Sequence, residues 1–320
     1  MNRKDLLANI LISNNLANKC LFIITNYSEP LMTYLYSRTS MSNYVPTHYR
    51  THTLGEIQAH GADLIDREVT VAGFMEANRG KGAICFVDLR DGTGKTQIFL
   101  KADKIGGESL DMVQRMTRES TLQFTGKVSE KRPPKLKEGE IPPPPAYEVI
   151  AESVVVIAKA EAPLPLGITD TVNVELDTRL DNRFLDLRRA HIAAMFRLRG
   201  KILQYGREAL INEGFFETHT PKIVATATEG GTDLFPMQYF DTPAFLNQSP
   251  QLFKQLCMSG GLERVFEIGP AFRAEKHDTY RHLNEFISFD IECSWATDDD
   301  VMGVLERMIH HMWESVANDE

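Results

Sequence analysis

The side chains best suited to chemistry lie in one segment, residues 272–290, which reads Phe-Arg-Ala-Glu-Lys-His-Asp-Thr-Tyr-Arg-His-Leu-Asn-Glu-Phe-Ile-Ser-Phe-Asp. The guanidinium of Arg273 can bind a phosphate or carboxylate through two parallel hydrogen bonds. Glu275 can accept a hydrogen bond from an amine, and Arg281 and His282 can contact further phosphates. Because apolar residues flank the polar stretch, we expect two extended segments, or arms, joined by a charged loop that binds a polyanion. An Arg-x-Glu sequence alone would indicate only an exposed ion pair.

Two upstream segments carry further polar groups. Residues 226–236 read Thr-Ala-Thr-Glu-Gly-Gly-Thr-Asp-Leu-Phe-Pro, so that Glu229 precedes two glycines. Residues 248–255 read Gln-Ser-Pro-Gln-Leu-Phe-Lys-Gln and contain Gln251 and Lys254. A buried ammonium at Lys254 would bind a carboxylate in preference to a neutral amide, because the amide lacks the charge-assisted bond. The alternative is a lysine on a solvated helix surface.

The bulk composition restricts the kind of protein. At 320 residues two domains are the default expectation, and 42% hydrophobic content is enough for true cores. The net charge of −9 argues against nucleic-acid binding by the whole surface but allows a local basic groove. No apolar run reaches the roughly 20 residues of a membrane span, so we expect no membrane partner. Four separated cysteines, without a Cys-x-x-Cys pair, favour reduced thiols in a cytoplasmic protein over a metal or disulfide framework.

The first half of the chain has the alternating pattern of β-strands. Strands are predicted near residues 69–75, 83–90, 95–100, 120–128 and 147–157, with a helix near 107–118. Asp-Gly-Thr-Gly at 91–94 predicts the turn of a hairpin. Five strands with a helix before the fourth predict a small closed Greek-key barrel, the OB-fold, over residues 51–160. The proline-rich stretch 131–145 is either a stiff exposed loop or a basic loop that contacts RNA.

The rest of the chain divides into an extension, a hinge and a second domain. Residues 1–50 are predicted to be a poorly ordered extension or the product of a mis-set start codon, with a targeting peptide as the alternative. Residues 161–189 are assigned to a hinge and residues 190–320 to the second domain.

Helical spacing predicts a long helix over residues 190–213, ended by Gly214, and a last helix over 299–316. Between them, a predicted strand leads into Thr220 and Pro221.

These segments resemble the class II aminoacyl-tRNA synthetases, and more narrowly the aspartyl-tRNA synthetases of the archaeal and eukaryotic type. Residues 272–290 are similar to motif 2 of that family, and the long helix followed by Gly214 and Pro221 is similar to motif 1. The resemblance runs from about residue 49 to residue 320. It implies an α+β multidomain protein, in which an N-terminal OB-fold β-barrel precedes a class II catalytic domain with an antiparallel sheet flanked by helices. It also implies a homodimer with Pro221 at the subunit boundary.

The resemblance implies how aspartate is bound. Glu229 would hold the α-ammonium group, Gln251 would help to fix the amino acid, and Lys254 would face the β-carboxylate. Arg273 would be the catalytic residue, bridging the α-phosphate of ATP and the aspartyl carboxylate. Asparaginyl relatives carry Leu-Glu where this chain has Lys254 and Gln255, which favours aspartate.

The resemblance also implies an ATP site and a tRNA site. The ATP site would be lined by Arg273, Glu275, Arg281, His282 and Leu283, with Mg²⁺ as the accompanying ion and no metal ligand within this chain.

On the barrel, the anticodon of tRNA(Asp) would contact Arg79, Phe86, Gln97 and Glu148. Phe86 would stack on a base and Gln97 would bond to a base edge. The alternatives are a Phe86 in the barrel core and a Gln97 exposed on the hairpin. Whether tRNA(Asn) is also charged stays open.

The implied activity is that of an aspartate–tRNA ligase, which forms aspartyl-adenylate from aspartate and ATP and transfers the aspartyl group to tRNA. Motif 3, a Gly-x-Gly-x-x-Arg strand and helix, is absent from the sequence, so we expect a truncated chain with little activity of its own. The alternatives are an inactive tRNA- or RNA-binding fragment and an asparaginyl-type or tRNA-independent amidating relative.

Overall fold

The computed structural model describes residues 46–133, 144–168, 173–228, 233–276, 279 and 282–318. The chain divides into two compact units, and the division falls between Leu164 and Pro165. The predicted extension at residues 1–50 therefore lies almost wholly outside the described residues, as does most of the proline-rich stretch.

The first unit is a closed five-stranded barrel. Its described elements are α1 (Leu54–Ala59), α2 (Gly61–Leu64), β1 (Glu68–Lys81), β2 (Ile84–Arg90), β3 (Lys95–Lys101), α3 (Ala102–Ile105), α4 (Gly107–Gln114), β4 (Thr121–Glu130) and β5 (Tyr147–Ala158). The strand order is β1-β2-β3-β5-β4, and the pairs are antiparallel except for β3 and β5. The predicted OB-fold is confirmed, including the helix before the fourth strand.

The strands β1, β2 and β3 alternate between buried, mostly apolar residues and outward-facing residues, as expected for a sheet with one face on a core. In β1, Val69, Val71 and Met75 are buried, and the positions between them face outward. The resulting cluster of buried apolar side chains includes Leu122, Phe124 and Val149 from the later strands.

One glycine is required for closure. A Cβ at Gly126 would lie 2.1 Å from the carbonyl oxygen of Ile150, next to a register shift between β4 and β5. A side chain at this position would therefore push the two strands apart.

The second unit combines helices with two small sheets. Its described elements are α5 (Leu176–Asp181), α6 (Arg183–Asp186), α7 (Ala190–Asn212), β6 (Phe216–Glu217), β7 (Ile223–Val224), β8 (Pro236–Tyr239), β9 (Thr242–Leu246), α8 (Gln251–Ser259), β10 (Arg264–Phe272), β11 (Glu285–Cys293) and α9 (Asp298–Ala317). One sheet has the order β11-β10-β6 and the other has the order β7-β9-β8. The β10–β11 pair is antiparallel, as predicted for the two arms, whereas β6 pairs with β10 in parallel.

The sheet of β10 and β11 is covered by helices on one face. Phe266 and Ile268 of β10 and Phe289 of β11 pack against α7 and α9 in a small apolar cluster. Gly206 lets α7 approach closely, since a Cβ there would lie 2.4 Å from the Phe289 ring. The opposite face of the same two strands is therefore the one that carries polar groups.

The hinge segment contains α5 and α6, which surround one buried carboxylate. Asp186 accepts hydrogen bonds from Arg179 Nε at 3.0 Å and Arg183 Nη1 at 2.8 Å, and Arg189 lies 3.6 Å away. The hydrogen bond from Arg179 lowers the pKa of Asp186 below its usual range, and the other two arginines reinforce that shift. This ion cluster gives the Arg- and Asp-rich sequence of residues 177–189 a structural role.

Candidate functional site

Strand register places a set of polar side chains on the face of β10 and β11 opposite α7 and α9. Glu267 is paired with Asp290, and Val265 is paired with Glu292, so that three carboxylates come from one face of the hairpin. The alternation along each strand explains the arrangement, because the intervening residues face α7 and α9.

Lys254 supplies a positive charge to this face. It lies on α8, its side chain is 0% exposed, and its Nζ donates to Asp290 and, at 3.3 Å, to Glu292. Gln255 Nε2 lies 3.4 Å from the other carboxylate oxygen of Glu292. The side chain is therefore not a solvated helix lysine, which was the alternative interpretation of the sequence.

Arg273 directly follows β10. Its guanidinium lies 5.4 Å from the centre of the Phe286 ring, and its backbone N–H donates to the Asn284 carbonyl oxygen at 3.0 Å. The next residue, Ala274, donates its N–H to the Asp233 carbonyl oxygen at 3.0 Å. The half-buried guanidinium thus lies over the aromatic ring of the facing strand at cation–π distance, which restricts the directions in which it can donate hydrogen bonds.

The other predicted ligand-binding residues are less enclosed. Gln251 is exposed at the first turn of α8, and Glu275 is half-buried. His282 is exposed, with its Nδ1 2.6 Å from Thr279 Oγ1, and Leu283 is 58% exposed. Glu229 and Arg281 lie outside the described residues.

A second lysine–carboxylate pair on this face was missed from the sequence. Glu267 is 1% exposed and accepts from Lys222 Nζ at 2.5 Å, from Thr220 Oγ1 at 2.7 Å and from the Thr220 backbone N–H at 3.2 Å. The available signal was a single acid within the apolar run Val265-Phe266-Glu267-Ile268, because a carboxylate in a buried strand needs a partner. Pro221, the predicted interface residue, lies between these partners and is exposed.

The predicted anticodon residues all lie on the outer surface of the barrel. Arg79, Phe86 and Phe99 occupy neighbouring positions on β1, β2 and β3. The rings of Phe86 and Phe99 are stacked, with centroids 4.8 Å apart and an interplanar angle of 18°. Phe86 is thus not a residue of the barrel core, which was the alternative interpretation of the sequence. Beside the aromatic pair, Lys101 Nζ lies 5.6 Å from the centre of the Phe99 ring.

A polar row runs beside this aromatic pair. Gln97 is half-buried and donates from Nε2 to Glu148 Oε2 at 2.6 Å, so it is not the exposed hairpin residue of the alternative interpretation. Arg79 donates from Nη1 and Nη2 to the Asp88 carboxylate at 2.5 and 2.9 Å, and this bond raises the pKa of Arg79. The surface therefore offers aromatic faces beside amide, carboxylate and guanidinium groups, a combination suited to unpaired bases.

Within the part of the chain that the structure describes, no group of three or more His, Cys, Asp or Glu side chains is arranged to hold a metal ion. None of the helices described combines the length and apolar character needed to cross a membrane.

Comparison with known families assigns each unit. Residues 69–157 match the OB-fold nucleic acid binding domain of the tRNA anticodon family, and residues 175–320 match the class II tRNA synthetases of the D, K and N group.

Curated relatives agree with these family matches. The chain is 50% identical over 271 residues to the aspartate–tRNA(Asp/Asn) ligase of Methanococcoides burtonii, a match that covers 85% of this chain and 59% of the relative. It is 47% identical over 252 residues to the aspartate–tRNA(Asp) ligase of Picrophilus torridus, covering 79% and 57%. The chain thus spans less than two thirds of the length of these relatives.

Solved structures of two synthetases are similar to this chain. The aspartyl-tRNA synthetase of Entamoeba histolytica matches with a TM-score of 0.68 at 29% identity, over 88% of this chain and 58% of that one. The asparaginyl-tRNA synthetase of Pyrococcus horikoshii complexed with asparaginyl-adenylate also matches with a TM-score of 0.68, at 30% identity, over 80% and 57%.

Proposed function

The chain belongs to the class II tRNA synthetases, and we propose that its activity is that of an aspartate–tRNA ligase, which uses ATP to activate L-aspartate and then charges tRNA(Asp). The observation that carries the choice of amino acid is Lys254, a fully buried ammonium on the polar face of β10 and β11. The 50% identity to a relative named for aspartate supports the same choice.

Lys254 would select the substrate by charge. An ammonium has three N–H donors, and contacts with Asp290 and Glu292 use two of them. The third would donate to the β-carboxylate of aspartate. Asparagine presents a neutral amide there, which forms a weaker bond to a buried charge.

The first step would be a displacement at phosphorus. The α-carboxylate of aspartate attacks the α-phosphorus of ATP, the bond to pyrophosphate breaks, and aspartyl-adenylate forms. Arg273, which lies over the Phe286 ring, would bind the α-phosphate and offset the charge that develops on its oxygens. Mg²⁺ would accompany ATP, but the described residues offer no set of ligands for it and no step here depends on it.

The second step would require tRNA. A hydroxyl of its terminal adenosine attacks the aspartyl carbonyl and AMP leaves. The anticodon would bind to the outer barrel surface, with a base stacked on Phe86 and another bonded to Gln97. Charging of tRNA(Asn) as well is part of the proposal only by analogy, since the relative in Methanococcoides burtonii is named for both tRNAs and that in Picrophilus torridus for one.

A homodimer and a cytoplasmic location complete the proposal. Pro221 is exposed, and the apolar side chains that flank it in the sequence include Phe216 at 57% and Ile223 at 45% exposure. A second copy of the chain would bury such side chains.

Ligand binding to the full chain tests the proposed function. Isothermal titration would compare non-hydrolysable sulfamoyl analogues of aspartyl-adenylate and asparaginyl-adenylate. We expect at least about tenfold tighter binding of the aspartyl analogue, since the charged pair at Lys254 is lost with the amide. Lys254→Ala should remove that preference, whereas Lys201→Ala, on the exposed side of α7, should keep it. Equal binding of the two analogues contradicts the aspartate assignment, and binding of neither contradicts the proposed activity.

A further inference from the structure

We propose that Asn247 is a positioning residue, which holds the strand end that carries Arg273 and the loop that carries Lys222 in one arrangement. The proposal rests on the proposed function of the site. It concerns a residue that contacts neither of the two lysines through its own side chain and that the sequence did not single out.

Asn247 directly follows β9 and is 0% exposed. Its side-chain Nδ2 donates to the Pro221 carbonyl oxygen at 2.9 Å, and its Oδ1 accepts from Thr228 Oγ1 at 3.2 Å. Its backbone N–H donates to the Lys222 carbonyl oxygen at 3.0 Å, and its carbonyl oxygen accepts from the Phe272 N–H at 3.0 Å. One buried residue thus connects chain segments that are far apart in sequence.

Two of these bonds lead directly to charged groups of the site. Phe272 precedes Arg273, so the bond to its N–H fixes the end of β10 from which the guanidinium extends. Lys222, held through its carbonyl oxygen, pairs with Glu267, and Glu267 lies across the strand pair from Asp290. Asp290 in turn pairs with Lys254. A shift of Asn247 would therefore disturb both lysine–carboxylate pairs.

The chemistry of the amide fits this position. An asparagine side chain donates and accepts at once, as the contacts with Pro221 and Thr228 require. Aspartate keeps the acceptor for Thr228 but directs a carboxylate oxygen at the Pro221 carbonyl. Removal of one partner from a buried pair leaves the other unsatisfied, so the local structure shifts to find a new partner.

Matched variants at Thr228 isolate one of these bonds. Thr228→Val keeps the shape of the side chain and removes the hydroxyl that donates to Asn247, and Thr228→Ser keeps the hydroxyl. Asn247→Asp tests the donor to Pro221. Each protein would be titrated with the sulfamoyl analogue of aspartyl-adenylate, well below its melting temperature, after near-ultraviolet circular dichroism has confirmed its tertiary structure. Binding of an anticodon stem-loop to the barrel serves as the internal control.

We expect Thr228→Val and Asn247→Asp to bind the aspartyl analogue on the order of tenfold more weakly, with Thr228→Ser close to wild type and stem-loop affinity unchanged. If Asn247→Asp does not fold, the comparison of Thr228→Val with Thr228→Ser still tests the proposal. Equal affinities of the folded Val and Ser variants overturn the positioning role, even if their melting temperatures differ. A wild-type chain that binds neither adenylate analogue overturns the proposed function, and this proposal with it.

Discussion

The two units of this protein place their polar groups in opposite ways. The core of the barrel consists of apolar side chains, and the groups proposed to bind a base lie on the outer surface around Phe86 and Gln97. The ion pair of the buried Glu119 with Arg90 is an exception to this separation. The second unit has a smaller apolar cluster and buries charged and polar groups, among them Lys254, Glu267 and Asn247. In the barrel, the groups that fold the chain differ from those suited to bind a ligand. In the second unit they are the same groups.

This difference has an energetic consequence. Apolar burial needs no specific partner, so a barrel surface can change while the core stays intact. A buried charge stabilises the fold only while its partner stays in place. In the barrel, a substitution should therefore change either the stability of the fold or the affinity for a ligand, but not both. In the second unit, a substitution of a buried charged group should change both.

The largest effect is expected at Lys254. Lys254→Met would remove a fully buried cation from Asp290 and Glu292, whose side chains are 24% and 20% exposed. Loss of one partner of a buried pair costs about 3–5 kcal/mol, and the partial exposure of the carboxylates places the expected cost at the lower end of that range. Hydrogen exchange with mass spectrometry should show faster exchange in α8 and β11 and unchanged exchange in the barrel. Lys201→Met is the control on an exposed helix surface. Unchanged exchange in β11 would show that the pair does not stabilise the unit.

Truncation of a core side chain in the barrel should destabilise the barrel and leave the second unit unchanged. Leu122 is fully buried, so Leu122→Ala would create a cavity at a cost of about 2–5 kcal/mol in the free energy of unfolding. Exchange should rise in β1 to β5 and stay unchanged in β10 and β11. Val155→Ala, at a position that is 52% exposed on β5, is the control. If Leu122→Ala also raised hydrogen exchange in the second unit, the stabilities of the two units would not be independent, and the contrast between them would be wrong.

A smaller effect is expected on the outer barrel surface. Phe86→Ala should weaken binding of an anticodon stem-loop by about 1–3 kcal/mol, the value of one base stacked on an aromatic ring. The melting temperature should stay the same because the ring lies outside the core. Filter binding at fixed salt would measure the affinity, with Ile157→Ala as the surface control. An affinity unchanged by Phe86→Ala contradicts the proposed stacking role.

The smallest effect is expected from an ion pair at the surface of the second unit. Arg307 donates to both carboxylate oxygens of Glu213 at 2.8 Å, and this bond lowers the pKa of Glu213 below its usual value of about 4.3. Because the folded-state pKa is lowered, the pair stabilises the fold above the unfolded-state pKa, and this contribution is lost as the pH falls through the folded-state value.

Urea unfolding of wild type and Glu213→Gln would measure this contribution. The difference between their midpoints should be small at pH 7 and should vanish as the pH falls from the unfolded-state pKa through the lowered folded-state pKa, where the glutamate becomes protonated. A difference that is independent of pH would mean that Glu213 acts through packing and not through its charge.

Local patterns predicted the elements closely. The expected helices over 190–213 and 299–316 are observed as α7 (Ala190–Asn212) and α9 (Asp298–Ala317), and the five predicted barrel strands are all present. The helix expected near 107–118 ends earlier, at Gln114. Strand and helix periods are properties of neighbouring residues, which is why they can be read without the fold.

The polar network was less accessible to prediction. Lys254 was expected to meet the carboxylate of a substrate, whereas the structure also gives it two carboxylates of its own chain, 36 and 38 positions away. Glu267 and Asn247 were not singled out, because an acid within an apolar run indicates burial but not which partner it has, and a lone amide indicates neither. Motif resemblance indicated the segments of the site but not the contacts between them.

The sequence by itself determined the barrel, the two extended arms and the helices that cover them, because alternation and helical spacing are local. Only the tertiary structure decided which charges meet. The register of β10 against β11 sets Glu267 across from Asp290, and the packing of α8 brings Lys254 to Asp290. Such pairs depend on backbone positions fixed by the whole unit, and a shift of one residue in register would turn each side chain to the opposite face.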